Sequence, residues 1–386
     1  MSLLDSLSTG LEARREQGLY RSRLVNEGAQ GPVIRSGGLE LLSFCSNDYL
    51  GLAADPRLVE AMCTATARYG VGSGAAHLIS GHSVAHHALE AELADFLGVE
   101  RTLLFSTGYM ANLGVLAGLL KRGDIVLQDR LNHASLIDGA QLSDARLRRY
   151  PHTDMSSLER LLSKGQGKDV LIATDGVFSM DGDIAPLQPL AGLARQHDAV
   201  LMIDDAHGFG VMGERGRGSV DAAGLDPSEV PVYMATLGKG LGTAGAFVAG
   251  SDDLIESLIQ RARSYVYTTA MPAALAEATR TSLRIVAEEQ WRRDHLVSLV
   301  GRLRAGMRDL GLPLMHSDTP IQPLLLGDAA EAMRWSEGLR QRGILVTAIR
   351  PPTVPKGKAR LRITLSAAHD EAQVDHLLAA LGELAA

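Results

Sequence analysis

The chain has 386 residues, 46% of them apolar, so it can bury a large core and is long enough for two domains. Its formal charge of −7 comes from interspersed acids and bases with no basic stripe, which argues against nucleic acid as a partner. Two cysteines, Cys45 and Cys63, are too few for a disulfide framework and lack metal-ligand spacing.

In chain order, Met1-Ser2-Leu3-Leu4-Asp5 carries an acid where an export signal needs bases and then a long apolar run, so a cytoplasmic protein is expected. The longest apolar stretch, near Leu113 to Leu120, is interrupted by glycines and falls far short of the roughly 20 residues of a membrane span. Helical spacing marks Ser83 to Leu97 and Leu187 to His197, and short buried strands are predicted at Val99 to Phe105, Ile125 to Gln128, Val170 to Thr174, Val200 to Ile203, Val232 to Ala235 and Gly245 to Ala249. Strand and helix in alternation imply right-handed crossovers and a mostly parallel sheet covered on both faces, an α/β fold. After Ala270-Met271-Pro272 the texture changes. A long charged helix, broken within Ala273 to Leu312, is followed by strand-like Ile321 to Leu326, Gly343 to Ala348 and Arg360 to Leu365, an α+β tail.

The chemistry gathers where these strands end. The apolar run Ala199 to Ile203 stops at Asp204-Asp205-Ala206-His207, which places a carboxylate and a histidine at a strand's C-terminal edge, where ligands of open α/β sheets bind. A buried carboxylate there needs a cationic partner, such as a protonated pyridine nitrogen. Lys239, in Thr236-Leu237-Gly238-Lys239-Gly240, follows another strand, and its flanking glycines keep bulk away from an amine that an aldehyde cofactor could reach. Ser106 to Asn112 supplies a strand-to-helix turn whose N–H groups suit an anion; its plainer reading is a helix cap. His133 and Ser179 also follow strand-like runs, and each is open to a plainer reading, as a capping histidine and a turn serine. Neither dinucleotide nor Walker glycine motifs occur in the required context.

Three segments, Phe44-Cys45-Ser46-Asn47-Asp48-Tyr49-Leu50-Gly51-Leu52, Asp204-Asp205-Ala206-His207-Gly208 and Thr236-Leu237-Gly238-Lys239-Gly240, resemble the α-oxoamine synthases. These are fold-type-I pyridoxal-phosphate enzymes that condense an amino acid with an acyl thioester and lose CO2. The resemblance runs from about Leu11 to the last helix. Ala348-Ile349-Arg350-Pro351-Pro352-Thr353-Val354-Pro355 is its most specific part, and it points to the branch that joins L-alanine to a pimeloyl thioester for biotin biosynthesis rather than to sisters using glycine or serine.

The resemblance implies a large domain, residues 49–272, with a seven-stranded sheet, and a small domain made of 1–48 and 273–386. It implies pyridoxal 5′-phosphate on Lys239, Asp204 at the pyridine nitrogen, His207 near a ring substituent and His133 stacked over the ring, opposite Ala206. Gly108 and Tyr109, with Thr236, would anchor the phosphate, and Ser179 would sit near the phenolic oxygen. Thr268 and Thr269 would reach the phosphate of the other subunit, making a homodimer with shared sites. Arg362 would clamp the amino acid carboxylate, although with Arg360 it could instead form an exposed basic edge. Arg21, Asn47, Arg350 and Thr353 fall on the substrate side. Coenzyme A and acyl carrier protein thioesters remain equally open. One departure stands out: Gly72-Ser73-Gly74-Ala75-Ala76-His77 replaces a more glycine- and serine-rich loop, which leaves His77, and His82 nearby, without an assigned part.

Overall fold

The structure, a computed structural model, describes residues 4–17, 19–165 and 167–386; Met1 to Leu3, the start of the acid-bearing stretch, lie outside them. An N-terminal helix, α1 (Asp5–Glu16), leads to a hairpin of β1 (Val33–Ser36) and β2 (Leu39–Ser43). Next come α2 (Pro56–Tyr69), α3 (Val84–Leu97) and the central sheet. Its strands are β3 (Arg101–Phe105), β4 (Ile125–Asp129), β5 (Arg146–Tyr150), β6 (Val170–Asp175), β7 (Val200–Asp204), β8 (Val232–Thr236) and β9 (Ala246–Gly250). They lie in the order β3-β9-β8-β7-β6-β4-β5, and only β9 runs against its neighbours.

Side chains alternate across this sheet and build two cores. Leu104, Leu127, Ile172, Leu201 and Ile203 face one layer of helices; Leu103, Val126, Leu171, Met202, Val232 and Val248 face the other. Burial on both faces explains the continuous apolar runs that made six of the seven strands legible. The seventh, β5, was not expected, because Arg146, Arg148 and Arg149 break the apolar pattern. They can do so because β5 is an edge strand.

The long C-terminal helix is broken at Glu289, between Ala273–Glu288 and Gln290–Asp309. The Glu289 carboxylate accepts hydrogen bonds from Arg57 at 2.6 Å and Arg292 at 2.7 Å, and both arginines also reach Asp55 at the start of α2. Beyond it, β10 (Ile321–Gly327), β12 (Thr347–Ile349) and β13 (Ala359–Thr364) form an antiparallel sheet, with β13 in the middle. The single strand expected over Gly343 to Ala348 serves two sheets. Its first part, β11 (Ile344–Leu345), pairs in parallel with β2, and after the buried Val346 the chain turns to β13. The N-terminal hairpin is thereby tied to the C-terminal part. No helix among the described residues is long and apolar enough to cross a membrane.

Candidate active site

The carboxyl ends of β4, β6, β7 and β8 converge on a cavity of about 240 Å³ lined by His133, Ser179, Asp204, Ala206, His207 and Lys239, among others. Its wall also contains Gly108 and Tyr109, at the start of α4 (Gly108–Leu119), and Thr236. Most of the cofactor-side residues singled out in the sequence therefore share one cleft, at the edge where an open α/β sheet binds ligands.

Lys239 leaves β8 through a turn in which Gly240 is required. A Cβ there would meet the carbonyl oxygen of Phe209 at 2.5 Å. The lysine amine lies 2.8 Å from Nε2 of His207, whose Nδ1 lies 2.6 Å from the hydroxyl of Tyr49. That hydroxyl donates to Asn47 Oδ1 at 3.2 Å. Burial, reinforced by the charges of Lys239 and Arg362, pushes the His207 pKa well below its ordinary value, so the ring is neutral and carries one N–H. Placing that proton on Nδ1 gives each donor an acceptor: Lys239 donates to Nε2, Nδ1–H to the Tyr49 oxygen, and Tyr49 to Asn47. Burial also lowers the Lys239 pKa to about 8, with Asp204 and Asp175 pulling against it.

Asp204 ends β7 with only 3% of its surface exposed. Its carboxylate accepts from Asn112 Nδ2 at 2.7 Å and from the Ala206 N–H at 3.1 Å, both neutral donors. Asn112 in turn donates to Ser135 at 2.8 Å, which fixes the amide. Asp175, beside it on β6, accepts the His133 N–H at 2.8 Å; burial and the Asp204 charge raise its pKa well above the ordinary carboxyl value. His133 meets its plainer reading, a helix cap, and also faces the cleft. Its Nδ1 caps α5 (Ala134–Leu142) through the Ser135 N–H, while the residue lines the cavity.

At the other end, Thr107 caps α4 by accepting the Met110 N–H at 3.2 Å, which leaves the first-turn N–H groups of Gly108 and Tyr109 as the helix's anion-binding end. The Thr236 hydroxyl, on the same wall, donates to Gly245 at 2.9 Å. The Tyr109 ring meets His133 edge-on, and its hydroxyl donates to Asp138.

The two arginines of β13 separate cleanly. Both are buried, so the exposed basic edge is absent. Arg360 pairs with Asp181 at 2.7 Å and is neutralised. Arg362 donates to the Ser179 carbonyl at 2.6 Å, Thr364 Oγ1 at 2.9 Å and Asn47 Oδ1 at 3.2 Å, all neutral oxygens. Its charge is thus available to an anion beside the Lys239 cavity.

Not every expected residue arrives there. Thr353 lines a wider cavity of about 710 Å³ that shares His133 and Ser179 with the first and includes Arg360. Arg350 lines a separate one of about 770 Å³ with Glu16, Leu19 and Asp328, and donates to the Tyr20 carbonyl at 3.3 Å. This is the largest of these cavities, yet it holds none of the residues around Lys239. Arg21 is exposed in the extended stretch after α1. Thr268 is half-buried and Thr269 exposed, beyond the cavity lining, where Thr269 bridges to Ala76. Sequence reasoning assigned no part to Asn112, Ser135, Asp175 or Tyr49. Asn112 and Tyr49 lie inside segments already singled out, but only the folded contacts give them work.

The pocket fits pyridoxal phosphate on its own terms. It offers a reactive amine, a buried carboxylate whose hydrogen-bond donors carry no charge, and a helix N-terminus for a phosphate. Together with the fold, these define a pyridoxal-phosphate enzyme. A model of the class I and II aminotransferases matches residues 40–381. The 8-amino-7-oxononanoate synthase of Thioalkalivibrio sulfidiphilus is 61% identical over 97% of this chain and 96% of its own, and that of Alkalilimnicola ehrlichii 58% identical over 98% and 97%. Among solved structures, Sphingomonas wittichii serine palmitoyltransferase superposes with a TM-score of 0.94 at 32% identity, covering 100% of this chain and 98% of that one. The S. paucimobilis serine palmitoyltransferase with bound PLP–myriocin gives 0.94 at 29% identity with the same coverage. An 8-amino-7-oxononanoate synthase from Francisella tularensis gives 0.78 at 32%, covering 89% and 97%. The chain belongs to the class I and II aminotransferase family and, within it, to the 8-amino-7-oxononanoate synthases.

Proposed function

We propose that this enzyme condenses L-alanine with a pimeloyl thioester to give 8-amino-7-oxononanoate, CO2 and free thiol, a step of biotin biosynthesis. The observation that carries the reading is Arg362, a buried guanidinium bonded only to neutral oxygens beside the Lys239–His207 pair. A carboxylate of the amino acid completes that arrangement, and a two-point clamp fixes which Cα bond faces the ring.

Pyridoxal phosphate, when bound, supplies an electron sink for the pair left at the substrate Cα. The chain's residues do the rest. Lys239, whose lowered pKa of about 8 leaves roughly a tenth of the amine neutral at pH 7, takes the Cα proton, and His207 orients its amine. Asp204, held by Asn112 and Ala206, would keep the ring nitrogen protonated. Gly108, Tyr109 and Thr236 would hold the phosphate, His133 and Ala206 would flank the ring, and Ser179 would serve its phenolic oxygen. His133 also orients or protonates the group formed as the thioester carbonyl is attacked and the thiol departs. The acyl chain occupies the wider cavity at Thr353, while Arg21 and Arg350 lie further out, on the side where the carrier arm approaches.

The same reading makes the working unit a homodimer, with Thr268 and Thr269 serving the partner's phosphate, and divides each chain into 1–48 plus 273–386 and 49–272. It places the enzyme in the cytoplasm. The test is a substrate panel: purified protein with pimeloyl thioester and L-alanine, glycine or L-serine in parallel, with amino ketone and CO2 measured. Preference for alanine supports the proposal, and turnover with glycine alone would reassign the substrate.

A further inference from the structure

The histidines left without a part in the sequence belong to a cluster lining a cavity other than that of Lys239. His82 and the exposed His87, with Glu90 one helical turn further along α3, bring three ligand atoms within 4.8 Å of one another. His82 Nε2 lies 3.8 Å from Glu90 Oε2. A tetrahedral zinc ion about 2 Å from each donor spaces its donors by about 3.4 Å, so a small contraction would close the set.

The surroundings orient two of these donors, Glu90 and His82. Glu90 Oε1 accepts the Leu104 N–H at 3.0 Å, which fixes the carboxylate and turns Oε2 toward His82. His82 Nδ1 lies 3.0 Å from His77 Nδ1, and the His77 ring is itself stacked on Tyr265 with centroids 5.1 Å apart. With the His82 proton on Nδ1, donated to His77, the Nε2 lone pair is free. The His77 nitrogen here takes the place of the carboxylate, carbonyl or water that usually accepts a ligating histidine's other N–H. His86, although close by, is excluded, because its Nδ1 accepts the Ser83 N–H at 3.0 Å and its Nε2 is bonded to the Met271 carbonyl at 2.7 Å. The site opens into a cavity of about 390 Å³, and Arg101 on its wall is held by Glu256 at 3.1 Å.

We propose that His82, His87 and Glu90 form a binding site for a divalent transition metal, with zinc preferred because two imidazoles and one carboxylate suit it. Solvent fills the remaining position, on the exposed side at His87. The three proposed ligands lie outside the lining of the Lys239 cavity.

The test is equilibrium dialysis of the pyridoxal-phosphate-loaded enzyme against zinc chloride, comparing wild type with His87→Ala and Glu90→Gln. His87 is exposed, and in Glu90→Gln the new amide oxygen still accepts the Leu104 N–H, so both variants keep the fold. Wild type should retain one zinc per chain. Each variant should bind it at least about tenfold more weakly, with condensation in metal-free buffer unchanged. No retained zinc, or wild-type affinity in both variants, would overturn the proposal.

Discussion

Lys239 Nζ lies 2.8 Å from His207 Nε2, so the reactive amine donates to a ring that its own burial keeps neutral. An imidazolium there would repel a lysine cation and could not accept its proton; a neutral ring orients the amine without neutralising it.

The first consequence concerns pH. Burial lowers the Lys239 pKa from 10.5 to about 8, so the neutral, nucleophilic amine gains population as pH rises through 8. The rate at which the cofactor-free protein takes up pyridoxal phosphate should follow that midpoint. A midpoint near 10.5 would mean the lysine is not buried as described.

Tyr49→Phe keeps the ring and removes the hydroxyl between His207 and Asn47. It should cost about 1 kcal/mol of stability and slow turnover about tenfold, because the His207 tautomer loses its anchor. The revealing readout is the turnover pH profile, whose midpoint should move; a slower enzyme with an unmoved profile would reduce Tyr49 to packing.

The two arginines of β13 should part company. Arg362→Ala should raise the KM for alanine by the equivalent of about 1.5–3 kcal/mol, the worth of a charge-assisted hydrogen bond. Arg360→Ala should leave that KM near wild type and instead lower the melting temperature, since it strands Asp181 without its cation. An unchanged amino acid dependence in Arg362→Ala would remove the clamp from β13.

His152 gives a prediction about stability. Burial alone would lower its pKa, but hydrogen bonds to Asp129 at 3.0 Å and Asp183 at 2.8 Å override this and raise it to about 10. A raised folded-state value means its contribution is complete below the ordinary 6.5 and fades as pH climbs toward 10. His152→Gln should therefore destabilise the protein by about 2 kcal/mol at pH 6 and much less at pH 10, as read by urea unfolding at both values.

What the sequence disclosed follows from burial. Strands covered on both faces read as apolar runs ending in Asp204, Thr236 or Asp175, so the sheet and the groups at its edge were legible together. The edge strand β5 was hidden by its arginines, and the strand at 343–348 hid its division because the turn at Val346 is a matter of pairing partners rather than residue type. Asn112 and Tyr49 were invisible as functional groups for the same reason. An asparagine one turn into a helix has no mark until the fold brings it 2.7 Å from a carboxylate on another strand. Arg350 shows the converse. Its segment was the most specific in sequence, yet its guanidinium faces Tyr20 and a different cavity.

The most direct test is release of CO2 from carboxyl-labelled L-alanine by the purified, cofactor-loaded protein, with and without pimeloyl thioester, in wild type and Lys239→Ala. The account predicts thioester-dependent release matched by 8-amino-7-oxononanoate in wild type, and background release in the variant. Release from Lys239→Ala at the wild-type rate would contradict it.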